Sequence, residues 1–257
     1  MENLIEVKAT VEKSKVLLLV EGEKVEKELF QHFYYLYGIE NVEIVAYKTH
    51  IYAFYNRLKK DYSDEEGNID FEFIDLPLFL NDYLELDGAD LLNEADFRDI
   101  ILVFDFDPHD SQFDQNKLDI LLDNFSDSTG RGKLYLNYPM IESFKNIESL
   151  EDPLFNKTTV HIDDLKKRYK GTSGYKQIVE STTCICNIED IDTSIANALL
   201  KLHNNKLNYL LKNLSYEEES KYKLFCTVQC DKLEKESLIW VLNTSLLHML
   251  EEYGYVK

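Results

Sequence analysis

The segment Val16–Phe30 reads VLLLVEGEKVEKELF, and the segment Ile100–Asp110 reads IILVFDFDPHD. Each opens with five apolar residues and then breaks abruptly into acid. A run that is apolar on both alternating faces fits a strand covered on two sides, the usual state of a central strand in a parallel sheet. After the first run Glu21-Gly22 ends the strand. Val25, Leu29, Phe33, Leu36 and Tyr37 then recur at helical spacing, and Gly38 stands where a left-handed helix stop is expected.

Working outward, Asn41–Tyr47 reads as a second strand and Ile51–Tyr62 as a second helix, with Tyr52, Tyr55 and Leu58 along one face. Leu118–Phe125 reads as a helix, Lys133–Asn137 as a strand and Met140–Ile147 as a short helix after Pro139. Residues 62–98 form an insertion or crossover lying over the sheet. Four strand-then-helix units in succession predict an α/β fold with a mostly parallel four-stranded sheet flanked by helices. Residues 1–150 are expected to form that unit and residues 151–257 a mainly helical C-terminal region. Asp163–Tyr169, Tyr175–Ser181, Ile191–Leu211 and Lys232–Tyr253 look helical there, and Tyr222–Val228 gives the one strand signal.

The 257 residues carry 28 Lys+Arg and 48 Asp+Glu, a net charge of −20. Such a balance argues against a general nucleic-acid coat, which depends on Lys and Arg neutralising phosphates. It leaves room for an enzyme acting on nucleic acid, where metal ions or a partner supply positive charge locally. Four cysteines are too few for a secreted disulfide scaffold and suit a reducing compartment. The five-residue run Val16–Val20 is far too short for a membrane span. The expectation is a cytoplasmic protein with no membrane association.

The acidic strand ends carry the chemistry. In parallel sheets the working site lies beyond the carboxyl ends of the strands, which places Glu21, Asp105 and Asp107 along one edge. Carboxylates held near 4 Å repel by about 4 kcal/mol per pair at an effective dielectric of 20. A divalent cation is the usual compensation, and Mg²⁺ favours oxygen ligands together with substrate phosphate. The competing explanation is helix capping, since Asp and Glu also favour first-turn positions. For Asp105 and Asp107, two apart, alternation puts both side chains on one face and favours a metal.

At this point the two quoted segments and their order resemble the Toprim domain, in which an apolar strand ends in Glu-Gly and a later strand in Asp-x-Asp. Glu21-Gly22-Glu23-Lys24-Val25-Glu26 is similar to the E-G-x-K-T-E opening of RloB-like and OLD-type Toprim nucleases, with Val25 where Thr is usual. Asn137-Tyr138-Pro139-Met140-Ile141-Glu142-Ser143-Phe144 resembles their N-P-x-F-E-x-W segment, with Tyr138 inserted and Ile141 in place of Phe. The resemblance covers about the first 150 residues. It implies Mg²⁺- or Mn²⁺-dependent cleavage of DNA or RNA by an effector of prokaryotic anti-phage defence, controlled by a partner such as an ATPase or by a homo-oligomer.

Carried over by position, the resemblance makes Glu21 a metal ligand or general acid/base. Asp105 and Asp107 become metal ligands, and Glu26 a second-site ligand. Asp110 and Glu142 are further candidates, although Pro108 and His109 depart from the family pattern and leave the third acidic position open. His109 is read as a loop residue or hydrogen bonder rather than a base. Lys24 and Lys48, just past strand ends, are candidates to steady a scissile phosphate, with surface lysine the plainer account of Lys48.

Rival readings stay open. A haloacid-dehalogenase-like phosphatase also uses a strand-end Asp-x-Asp, but normally followed by Gly and Thr or Val, and it leaves the Glu-Gly strand unexplained. A non-catalytic acidic regulatory subunit or nucleic-acid mimic fits the net charge directly. A zinc site on Cys184, Cys186, Cys226 and Cys230 has the wrong spacing, so these are read as small packing residues.

Overall fold

A computed structural model describes residues 15–166, 174–214 and 220–254. The apolar runs fold as their composition dictates. Leu17, Leu18, Leu19 and Val20 are fully buried, as are Ile101 and Leu102, so the strands they form are covered on both faces. In chain order the elements are β1 (Lys15–Val20), α1 (Val25–Tyr37), β2 (Val42–Ala46), α2 (Ile51–Asp61), α3 (Leu76–Leu84), β3 (Phe97–Asp105), α4 (Gln115–Asn124), β4 (Ser126–Asp127), β5 (Gly132–Tyr138), β6 (Thr159–His161), α5 (Gly174–Thr182), α6 (Thr193–Leu211), α7 (Lys221–Glu236), β7 (Leu238–Trp240), β8 (Leu242–Asn243) and α8 (His248–Tyr253). The protein is an α/β fold with a mostly parallel sheet flanked by helices.

The sheet runs β2-β1-β3-β5-β4, and β8 also pairs with β5. The first four are mutually parallel, while β4 and β8 run antiparallel to β5. Register decides the rest. Val20 lies between Ala46 and Val103, and Asp105 lies opposite Asn137. Glu21, the residue after β1, therefore comes level with Phe104, one residue before the end of β3. β2 and β3 flank β1 on opposite sides, so right-handed crossovers place α1 on one face and the α2–α3 connection on the other.

That longer connection is anchored by aromatics. Tyr47, just past β2, stacks on Tyr83 of α3 with centroids 4.3 Å apart, and meets Phe54 and Phe104 edge-on. Such pairs each add about 0.5–1.5 kcal/mol beyond their buried area. The apolar stretch Phe71–Leu86 thus lies over the sheet as its composition suggests.

Five expectations from sequence change. The sheet has six strands and not four, because the short β4 and β8 add antiparallel to β5. Tyr222–Val228 is not a strand but lies inside α7. Its β-branched and aromatic residues suggested β structure, yet Tyr222, Phe225, Cys226, Gln229 and Cys230 fall on one buried helical face and Ser220 caps the start by accepting from Lys223 N. Lys232–Tyr253 is not one helix. Ser237 takes a left-handed φ of 57° and stops α7, after which β7 pairs with β6. Met140–Ile147 forms only a 3₁₀ turn over Ile141–Lys145. Of Asp163–Tyr169, a 3₁₀ turn over Ile162–Leu165 is present, and residues 167–169 lie outside the described ones.

The C-terminal region builds into the sheet. Asn243 pairs with Asn137 on β5, and its side-chain amide donates to Ile141 O at 3.1 Å. The Thr244 hydroxyl donates to Leu136 O at 2.5 Å, and Asn243 N–H donates to His203 Nδ1 on α6 at 3.1 Å. Burial holds His203 neutral, its pKa lowered to about 3, which leaves Nδ1 free to accept. Asn243→Ala strands Ile141 O and unties Ser245 and Leu246, which both donate to its Oδ1. At about 1–3 kcal/mol for each buried polar group left unsatisfied, urea unfolding should show a loss of about 2–4 kcal/mol. A loss under about 0.5 kcal/mol would mean that β8 does not share the fold's cooperative core.

Candidate functional site

The register brings the strand-end acids together. Glu21 Oε2 accepts from the Asp105 backbone N–H at 3.1 Å, across 84 residues of chain. Asp107 follows two positions on, with a left-handed φ of 40° that an aspartate adopts only when its surroundings impose it. Glu26, in the first turn of α1, reaches back so that its Oε1 accepts from Gly22 N at 2.9 Å. The carboxylate rests directly on the glycine: a Cβ at residue 22 would stand 2.5 Å from Glu26 Oε1. Here Gly22 serves close approach, and it follows a strand whose end it frees.

Glu142 arrives from the turn after β5 and is buried. Its Oε1 pairs with Lys176 Nζ at 2.5 Å, while its Oε2 is buried with no hydrogen-bond partner. Asp110 sits at the rim, where it accepts from Gln112 N at 2.7 Å and faces His50 Nε2 at 3.8 Å. His109 Nδ1 stands 3.8 Å from Asp107 Oδ1 with its ring partly exposed. It is a loop residue at the edge of the acids.

These groups feel one another. Burial, then the charge of Asp107, raises Glu21 well above the ordinary carboxylate value. Burial and then Glu21 and Asp107 do the same to Asp105. Burial also raises Asp107, with His109 and His50 partly offsetting it, and raises Glu26 with help from Glu142. Lys176 answers from the other side, its ammonium favoured by Glu142, Asp105 and Glu26 against the cost of burial.

Lys24 precedes α1 and lines a groove of about 360 Å³ together with Glu142, Lys145 and Lys176. Lys48 goes elsewhere. It pairs with Glu23 at 2.6 Å on the surface and lines a different groove, beside β2. Sequence reasoning missed Lys176, Lys145 and His50. His50 was open to the strand-end rule applied to β2, whereas nothing in the local pattern of α5 marks Lys176 as a neighbour of the acids.

The acids at this edge offer carboxylate oxygens, the donor type a hard cation favours, and Glu142 Oε2 is buried without a hydrogen-bond partner. Among the described residues no group of three or more His, Cys, Asp or Glu side chains is arranged so that it could hold a metal ion. The four cysteines are free, with Cys226 and Cys230 buried and Cys184 and Cys186 exposed. No described helix is long and apolar enough to cross a membrane.

A carboxyl raised in the fold destabilises it as pH climbs, because the unfolded chain releases its proton first. The acids of the cation-free chain should therefore add stability as pH falls from neutral towards 4.5, the ordinary glutamate value, while buried His203 and His248, held at about 3 and about 4, lose stability over the same range and oppose them. Glu251 has the opposite sign and acts only below that window. Burial opposes its ionisation, but Lys133 and Lys221 hold it at about 2. Asp105→Asn should flatten the slope and raise the pH 8 melting midpoint by several degrees, at about 2–4 °C per kcal/mol for a chain of this size. An unchanged slope would show that the acids do not share one field.

No family model, curated protein or solved structure matches this chain.

Proposed function

We propose that this chain is a Toprim-type nuclease that hydrolyses phosphodiesters of DNA or RNA with Mg²⁺ or Mn²⁺ held at the carboxylates. The observation that supports this most is the bond from Asp105 N–H to Glu21, because it joins two distant strand ends into one acidic pocket. Asp105 and Asp107 would hold the cation from β3 and Glu21 from β1, with Glu26 and Glu142 on the α1 side. A bound cation would neutralise the cluster and stabilise charge on the attacking and leaving oxygens of the phosphodiester.

The chain's own groups account for the rest. Glu21, with its raised pKa, is suited to take a proton from a water and to release it later, as a general acid/base requires. Lys176 is held in place by Glu142 and can place its remaining N–H donors on a phosphate oxygen. Lys24 and Lys145 line the same groove and add positive charge along its wall. The groove is the approach for the substrate backbone.

The net charge of −20 opposes that approach. We read the protein as an anti-phage effector whose cleavage depends on a partner, such as an ATPase, or on self-assembly to bring substrate in. The resemblance of the three segments to defence nucleases is the support for that role.

Incubation with Mn²⁺ and single- or double-stranded DNA or RNA at low salt should give cleavage that a chelator abolishes. Glu21→Gln and Asp105→Asn should each lower the rate by about 10²–10³, the range for losing a catalytic charge or proton carrier. Both should keep or raise the melting midpoint. Gly22→Ala, which displaces Glu26 and removes no acid, should cost at least tenfold. Calorimetric Mn²⁺ titration keeps the test decisive where turnover is slow. Binding and cleavage that survive both neutralised acids would overturn the reading.

A further inference from the structure

The outer edge of β2 is open. Among the described residues no strand pairs with it, since β2 ends the sheet order. Asn41 O accepts from Val16 N and Tyr47 N donates to Val20 O, so both residues bond inward to β1. Strand alternation then directs the backbone groups of Val42, Ile44 and Ala46 outward. An edge with free donors and acceptors is a template for another strand.

Two grooves flank this edge and share Glu43 and Ile44 in their walls. One, of about 600 Å³, is walled by α1 and carries Tyr35, which is 81% exposed. The other, of about 420 Å³, is walled by residues 84–92 of the α2–β3 crossover and carries Leu91, which is 51% exposed. The two walls belong to opposite faces of the sheet. A strand added at β2 sends alternate side chains to opposite faces, one set into each groove.

Charge selects the occupant. Residues 61–96 contain thirteen carboxylates and no lysine or arginine, so most of the chain's net −20 is concentrated in the crossover that forms one wall. Asp90 and Glu43 face that groove. Three lysines line it as well: Lys48 pairs with Glu23 at 2.6 Å, Lys15 with Asp96 at 3.6 Å, and Lys27 lines both grooves. A second copy of this chain would set Glu43 and the crossover acids against their own kind, which like-charge repulsion opposes. A cationic strand meets an acidic excess, with Glu23, Glu43, Asp90 and Asp96 against Lys15, Lys27 and Lys48 in the one groove and Glu40 and Glu43 against Lys27 in the other.

We infer that the β2 edge is a docking site for an extended basic segment of a partner protein, with Lys or Arg alternating with apolar residues. The inference is independent of the nuclease reading, because its readout is binding and not cleavage.

The test uses a capped, fluorescently labelled decapeptide of alternating lysine and valine, titrated by anisotropy against the full chain. Matched probes are an alternating glutamate–valine decapeptide and a lysine–valine decapeptide with a central proline. The lysine–valine peptide should bind, and both matched probes should bind at least tenfold more weakly. Ile44→Pro removes one outward N–H and no inward bond, a change that edge strands tolerate. It should weaken binding at least tenfold with the melting midpoint within a few degrees. Glu43→Gln with Asp90→Asn should weaken binding and reduce its salt dependence.

Binding untouched by Ile44→Pro means diffuse attraction to an acidic surface and overturns the proposal. Equal binding of the glutamate peptide overturns it as well. So does a concentration-dependent dimer that Ile44→Pro dissolves, because the occupant would then be a second copy.

Discussion

Carboxylates brought into a half-buried pocket repel one another, and this fold holds them together by backbone geometry. β1 and β3 are adjacent and in register, so Glu21 has no route away from Asp105. The amide N–H groups of Asp105 and Gly22 are directed at Glu21 and Glu26, where each supplies a donor to an otherwise disfavoured anion. Lys176 faces the group from the wall of the groove, its side chain 42% exposed, and its own bond goes to Glu142. The rest of the architecture holds those strand ends in place. The strands are covered on both faces, the C-terminal residues brace β5, and aromatics pin the long crossover.

The acids of this protein fall into two physically different populations, which net charge alone merges. Those at the strand ends are buried and act on one another. Those of the crossover lie towards the surface, and some cap local backbone: Asp75 caps α3 by accepting from Leu78 N at 2.9 Å, Asp70 accepts from Glu72 N, and Asp64 accepts from both Glu66 N and Asn68 N. The first population gathers carboxylates at the strand ends, where burial and mutual repulsion raise their pKa values. The second describes an electrostatic surface.

The sheet was legible because its strands are apolar on both faces over five or more residues, a pattern that amphipathic helices do not produce. Gly38 was legible as a helix stop, and it takes the left-handed φ of 65° that the reading required. The carboxylate cluster was legible because strand-end rules operate on sequence. Tyr222–Val228 misled because β propensity largely reports side-chain packing, and this segment packs on one helical face between α4 and α6. The break at Ser237 was illegible, since neither glycine nor asparagine marks that left-handed residue. Lys176 was invisible for another reason: its role comes from a long-range contact with Glu142 that no local period encodes.

The brace on β5 has a consequence in time. Leu136 waits for Thr244, which follows it by 108 residues, and Ile141 waits for Asn243. At about 5–20 residues per second on the ribosome, the strand carrying one side of the pocket emerges roughly 5–20 s before its brace. During synthesis the acids of β1 and β3 can meet while Glu142 is still unsupported. Bracing of β5 is thus deferred until Asn243 and Thr244 have been made, whereas the bond between Glu21 and Asp105 needs no residue beyond β3.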